Sequence, residues 1–135
     1  AIGSNQTHVD TDFPMFRLAD AYLMYAELAA NGVGSKATAR TYVNELRTRA
    51  GASIVTSDAD ITPDFILDER ARELYWEGHR RQDLIRANKF TGGTKVWQWK
   101  GNTLEGASID AKFNVYPIPQ TELNTNSNLT QNTGY

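Results

Sequence analysis

Apolar residues recur at helical spacing in three stretches of the chain. Met15, Ala19, Tyr22, Leu23, Ala26 and Ala30 form the first stripe. Pro14 opens it, because a first helical turn does not need the N–H that proline lacks. Asn31-Gly32 closes it with a left-handed stop. A helix over about 14–31 is predicted. Ala39, Tyr42, Val43, Leu46 and Ala50 form a second stripe, over 36–50, and Gly51 ends it. The intervening loop is so short that the two helices are expected to form an antiparallel hairpin. A third helix opens with Thr62-Pro63-Asp64, which combines a capping hydroxyl, a preset φ and an acid in the positive first turn. Its pattern runs through Phe65, Ile66, Leu67, Ala71, Leu74 and Tyr75 to Leu84 and Ile85, predicting a helix over 62–88. Gly78 lies inside it, as a site of close approach or a break.

After Phe90 the helical period disappears. Gly92, Gly93, Gly101 and Gly106 space out a loop or hairpin that carries Trp97-Gln98-Trp99-Lys100. Phe113-Asn114-Val115-Tyr116 alternates like a short strand, and Pro117-Ile118-Pro119 ends it. Gln120–Leu123 suits one helical turn. The Asn-rich end has no core pattern and is expected on the surface. The fold class is therefore mostly α: a tetratricopeptide-like hairpin, a long third helix, and an irregular loop-rich segment over 89–135. Ala19, Ala26, Ala30, Ala39 and Ala50 are small enough for the close packing of helical-repeat scaffolds. One hairpin cannot cover its own outer faces, which points to a further body preceding residue 1.

Composition narrows the chemistry. The 135 residues carry 14 Lys+Arg and 16 Asp+Glu, a formal net charge of −2, in keeping with one soluble domain and not with a basic nucleic-acid surface. There is no Cys, so disulfides, thiolate metal sites and a Cys nucleophile are excluded. His8 and His79 are too few for a multi-histidine metal site. No cofactor-binding loop is present, since the glycines at 92 and 93 lack the strand and Lys-Ser/Thr of a phosphate loop.

The densest charge lies between Asp68 and Arg86. An enzymatic reading takes Glu73 and Glu77 as paired carboxylates with His79 as proton carrier. A structural reading fits the spacing better. Glu69–Arg72, Glu77–Arg81 and Asp83–Arg86 stand three or four residues apart and can pair along a helix, with Glu77 or Asp83 also in reach of Arg80 or Arg86. Glu69, Arg72, Glu73, Glu77, Arg80, Asp83 and Arg86 are accordingly assigned to a structural ion-pair network, and no catalytic residue is assigned. Asp10 and Asp12 are the weak candidates for a hard cation, but they lack the Gly and distal Glu of an EF-hand, and a capping or turn role is favoured. Trp97 and Trp99 would share one face of an extended segment. They are the weak candidates for stacking on a sugar, with Lys100 and Asn102 nearby; burial over the helical core is the favoured reading.

Four motifs in order resemble the SusD/RagB family. Phe16-Arg17-Leu18-Ala19-Asp20-Ala21-Tyr22-Leu23-Met24-Tyr25-Ala26-Glu27 resembles one of its helices. Asn44-Glu45-Leu46-Arg47-Thr48-Arg49-Ala50-Gly51 resembles the next. Ile66-Leu67-Asp68-Glu69-Arg70-Ala71-Arg72-Glu73-Leu74, with Glu77-Gly78-His79-Arg80 and Asp83-Leu84-Ile85-Arg86, is similar to a third. Pro117-Ile118-Pro119 and Gln131-Asn132-Thr133-Gly134-Tyr135 are similar to its C-terminal motifs. Thr133 departs from the usual proline, and Gln82 and Ala87 stand where aromatics are frequent.

The resemblance covers nearly the whole chain, as the C-terminal portion of a longer protein. It implies a lipoprotein on the outer face of the outer membrane of a Bacteroidetes-type bacterium, anchored through an N-terminal Cys that this chain lacks. It implies a SusC-like, TonB-dependent transporter as partner and oligosaccharide that is bound without being cleaved. Phe90-Thr91-Gly92-Gly93 and Trp97–Gly101 look closest to members associated with starch and malto-oligosaccharides. In those the ligand-stacking aromatics lie upstream, so this chain is expected to be scaffold and transporter-facing surface. The alternative is a stand-alone helical-repeat protein-interaction module.

Overall fold

The computed structural model describes residues 12–135. Among them are five α-helices and three single turns of 3-10 helix, and no strand. The chain divides into two compact units, one up to Arg80 and one over Arg81–Tyr135.

The first unit is a helical hairpin with a third helix against it. The five residues 31–35 join α1 (Leu18–Ala30) to α2 (Lys36–Arg49). Ser35 caps α2, its hydroxyl accepting the Thr38 N–H at 3.3 Å. Thr62 caps α3 (Pro63–Glu73) in the same way, accepting from Phe65 N–H at 3.2 Å, and Pro63 takes the first helical position. α1 packs against both α2 and α3. Leu23, Ala26, Ala39, Val43, Ile61 and Ile66 are sealed from solvent, and each large aliphatic side chain so buried contributes about 1.5–3 kcal/mol. Tyr22 and Tyr42 stack face to face at 4.4 Å, and Tyr25 meets Tyr42 edge-on at 5.4 Å. The connection after α2 has no helix to hold it. Asn44 fastens it, its side-chain amide accepting the Val55 N–H (2.7 Å) and donating to the Val55 carbonyl (2.9 Å).

Two helix boundaries differ from expectation. The first helix starts at Leu18 and not at Pro14, because Arg17 is extended (φ −147°, ψ 156°). The single helix expected over 62–88 is two: α3, then α4 (Arg80–Arg86). Between them Trp76 (φ 66°) and Gly78 (φ 78°) both adopt left-handed backbone, which no α-helix continues through. Gly78 takes that conformation without strain. Trp76 does not, and something must hold it there. An unbroken helix would bond the Glu77 N–H to the Glu73 carbonyl. Here the Glu77 N–H goes to Leu74 (3.1 Å), and the Arg17 guanidinium takes the Glu73 carbonyl (2.5 Å). At the break a side chain engaged across the fold thus takes the carbonyl that a continuing helix would have used.

The second unit is mostly loop. After α4, the buried Lys100 ammonium gathers the chain by donating to the carbonyls of Lys89 (3.2 Å) and Lys95, and it sits over the Trp97 ring at 4.8 Å. Gly92 and Ile109 form an isolated antiparallel bridge. Gly106 (φ +77°) has no room for a Cβ, which would collide with the Trp97 carbonyl and the Val96 side chain. The strand expected at Phe113–Tyr116 is absent. Asp110 caps a 3-10 turn at Ala111–Asn114, accepting the Lys112 N–H at 2.8 Å, and extended backbone resumes only at Val115. One further helix, α5 (Gln120–Thr125), begins directly after Pro119. The C-terminal residues close back as a clasp. The Gln131 amide brackets Ile118, accepting its N–H (2.8 Å) and donating to its carbonyl (2.9 Å), and Asn132 donates to the Tyr116 carbonyl (2.7 Å).

Candidate functional site

The charged residues of the first unit form an interlocked set. Arg17 is its hub. It donates to the Glu73 carboxylate (2.5 Å) and through Nε and Nη2 to both oxygens of Glu77 (2.7 Å each), the fork-on-carboxylate geometry of the stronger ion pairs. Arg49 also reaches Glu73. Glu69 receives Arg47 (2.7 Å) and Arg72 (2.5 Å). Deeper, Asp20 and Arg70 pair at 2.8 Å with almost no exposure of the guanidinium. Arg80 holds the Leu67 carbonyl (2.7 Å) and stands 3.5 Å from Asp68.

The electrostatics of Glu73 opposes a general-acid role. Burial pushes the Glu73 carboxyl up, but hydrogen bonds from Arg49 and Arg17 outweigh it and leave the group below its ordinary value. Hydrogen bonding to Glu77 raises Arg17 further still, against the lowering effect of burial. A general acid needs the opposite, a carboxyl held protonated near neutral pH. The set ties α1, α2 and α3 together.

Of the network residues named from sequence, Glu69 and Arg72 meet, as do Asp83 and Arg86 (3.0 Å), both at the expected spacing. Glu77 pairs with Arg17 and not with Arg81 or Arg80. The expected spacing assumed one helix through 62–88, and the break at 74–78 removes it. Arg80 turns to Asp68 and Leu67. Arg17, Arg47, Arg49, Asp20 and Arg70 were missed as partners. Each pairs across 22 to 60 residues, beyond any rule of local spacing.

Trp97 and Trp99 do not share an extended face. Trp99 is left-handed (φ 68°) and starts the 3-10 turn Lys100–Asn102, so alternation stops between the two. Trp99 is 64% exposed and does not cover a core, whereas Trp97 is partly shielded beneath Lys100. Asp12 is exposed, and Asp10 lies outside the described residues. Among the described residues no group of three or more His, Cys, Asp or Glu is placed to hold a metal.

The second unit contains a cavity of about 640 Å³. Phe90, Phe113, Tyr116 and Tyr135 line it, with Arg81 and Asp110 as the charged members. The Arg81 guanidinium lies over Tyr116 at 4.1 Å and over Phe90 at 5.2 Å. Sequence reading did not assemble these residues. Only the motif-like ends at 116–119 and 131–135 hinted that this part of the chain has a fixed shape.

The sequence profile of the SusD family matches residues 1–135. This chain belongs to the SusD family. It is 45% identical over 132 residues to the starch-binding protein SusD of Bacteroides thetaiotaomicron, covering 98% of this chain and 23% of that protein. It is 36% identical over 133 residues to the SusD-like protein P25 of Formosa agariphila, covering 90% of this chain and 24% of that one. Among solved structures, a SusD superfamily protein of Bacteroides vulgatus superposes with a TM-score of 0.74 at 30% identity, covering 98% of this chain and 30% of that one. A second structure from that organism, described as a sugar-binding protein, gives a TM-score of 0.73 at 32% identity over 97% and 31%. The chain thus spans about a quarter of the length of its SusD-family relatives, and its mostly helical architecture is the one they share.

Proposed function

We propose that this SusD-family chain serves non-catalytic capture of a glycan of the starch type. The bound oligosaccharide passes to a SusC-like, TonB-dependent transporter on the outer face of an outer membrane. The chain itself contributes mainly scaffold and transporter-facing surface, and the lipid anchor lies outside it. The observation that carries this reading is the 45% identity, over nearly the whole chain, to a protein named for starch binding. The Arg17 and Arg49 contacts to Glu73 support a structural and not a proton-donating role for that carboxylate. No described helix is long and apolar enough to cross a membrane.

The product of the whole open reading frame, titrated with maltoheptaose in a calorimeter, should bind it. Chromatography of the mixture should show no shorter sugars. Release of shorter sugars would overturn the non-catalytic reading, and absence of binding would overturn the starch reading. A TonB-dependent transporter should co-purify from native outer membranes. The stand-alone interaction module remains the second reading, favoured by the exposed Leu18, Met24 and Leu28 on α1. Binding of the sugar together with the transporter would displace it.

A further inference from the structure

The aromatic cavity of the second unit has the features of a ligand site. Its volume of about 640 Å³ lies within the roughly 300–1,000 Å³ of small-molecule pockets, which are apolar with a few placed polar groups. Its rings are not packed away. Tyr116 is 69% exposed, Phe113 45% and Tyr135 41%. Their positions are nevertheless held. The Tyr135 hydroxyl lies 2.9 Å from the Val115 carbonyl and 3.2 Å from that of Lys112, and the ring meets Phe113 edge-on at 6.3 Å. The Lys112 ammonium stands over both of those rings and donates to the Gly134 carbonyl at 3.2 Å. Arg81 is fixed too, donating to the carbonyls of Phe113 (2.6 Å) and Asn114 (3.3 Å). Both bonds leave from Nη2, one of the three nitrogens of a five-donor group.

We propose that this cavity binds one pyranose residue of a neutral oligosaccharide. The proposal rests on the glycan-binding reading above and adds to it a contact site within this chain. A pyranose with equatorial hydroxyls presents C–H faces that stack on the electron-rich face of an aromatic ring, and Phe113 and the Tyr116 face that Arg81 does not cover supply such surfaces. Its neighbouring hydroxyls need both donors and acceptors. With Nη2 held by the two carbonyls, Arg81 offers single donors at Nε and Nη1, and the Asp110 carboxylate accepts. Charges of both signs in an otherwise apolar wall suit a neutral sugar better than a charged one. Tyr135 completes the wall from the far end of the chain, so the C-terminal clasp is part of the site.

The test is a titration of the ¹⁵N-labelled 135-residue chain with maltohexaose, followed by backbone amide shifts and by NOEs from sugar protons to aromatic rings. Shifts should concentrate at Arg81, Phe90, Ile109–Val115 and Tyr135, with NOEs to the Tyr116 or Phe113 rings. Tyr116→Ala and Arg81→Gln should each weaken binding by about tenfold, about the worth of one stacking or one charged contact. Tyr116→Phe, which keeps the ring, should stay within about twofold. Should a variant lose its dispersed spectrum, the NOEs on the unaltered chain decide alone. Shifts centred on Trp97 and Trp99 would overturn this site and leave the glycan reading standing. So would a silent titration of this chain beside a positive one of the whole gene product. Failure of both to bind any oligosaccharide would overturn the reading itself.

Discussion

The two units of this chain solve the same physical problem with different means. The first hides apolar side chains between helices: Leu23, Val43, Ile61 and Ile66 lose essentially all contact with solvent. The second contributes Leu84 as its one buried hydrophobic side chain, with Asp83 and Lys100 as buried charged ones, and it leaves Trp99, Phe113, Val115 and Tyr116 largely open. Its order comes from side chains that satisfy backbone groups. Lys100, Arg81, Gln131, Asn132 and Lys112 each hold a carbonyl of a loop that has no ladder of its own. One device is common to both. Asn44 brackets Val55 and Gln131 brackets Ile118, each amide donating and accepting as a neighbouring strand would. The comparison teaches that a helical core tolerates change at its surface, whereas a loop unit depends on single polar side chains, each worth little alone.

Substitutions can break that comparison, and the largest effect belongs in the first unit. Arg70→Ala leaves the Asp20 carboxylate buried without its guanidinium, and stability should fall by about 3–5 kcal/mol, read from the urea midpoint of helical circular dichroism. A midpoint unmoved by this change would refute the buried-pair account. Arg17→Ala should cost less, about 2–3 kcal/mol, because its partners keep some solvent. It should also release the Glu73 carbonyl and shift the amides of 74–78, since the same guanidinium holds that turn.

In the second unit, Gly106→Ala should cost about 2 kcal/mol through a left-handed backbone and a clash with Trp97, seen as displaced amides around 97–106. Retention of those shifts would mean that the loop yields more readily than its geometry indicates. Gln131→Ala removes both bonds to Ile118 and one to the Asn132 N–H and should cost about 1 kcal/mol, with faster hydrogen exchange at Ile118. The smallest effect is acid sensitivity. Glu73 titrates below its unfolded value, so its contribution is complete above a pH of about 4.3 and is lost as pH falls through the lower folded value. Glu73→Gln should flatten that acid limb, a result to be read from melts at descending pH.

Local signals determined much of this protein. Apolar stripes, the Thr62 cap, Pro63 and the glycine stops sit within one or two turns of what they control, so the hairpin, the start of the third helix and α5 could be read directly from the chain. The ordered motifs did the same for the family, because they span the whole sequence. What only the tertiary structure decided depends on partners distant in sequence. Arg17 meets Glu77 across 60 residues and also takes the Glu73 carbonyl where α3 ends, so Glu77 pairs there and not with its local neighbours. Arg81, Phe113, Tyr116 and Tyr135 come together only when the C-terminal residues fold back. Helix periodicity reports the side of an element on which a residue lies, within a few residues of chain. Which distant charge or ring meets that side is settled by packing, and a one-dimensional pattern carries no record of it.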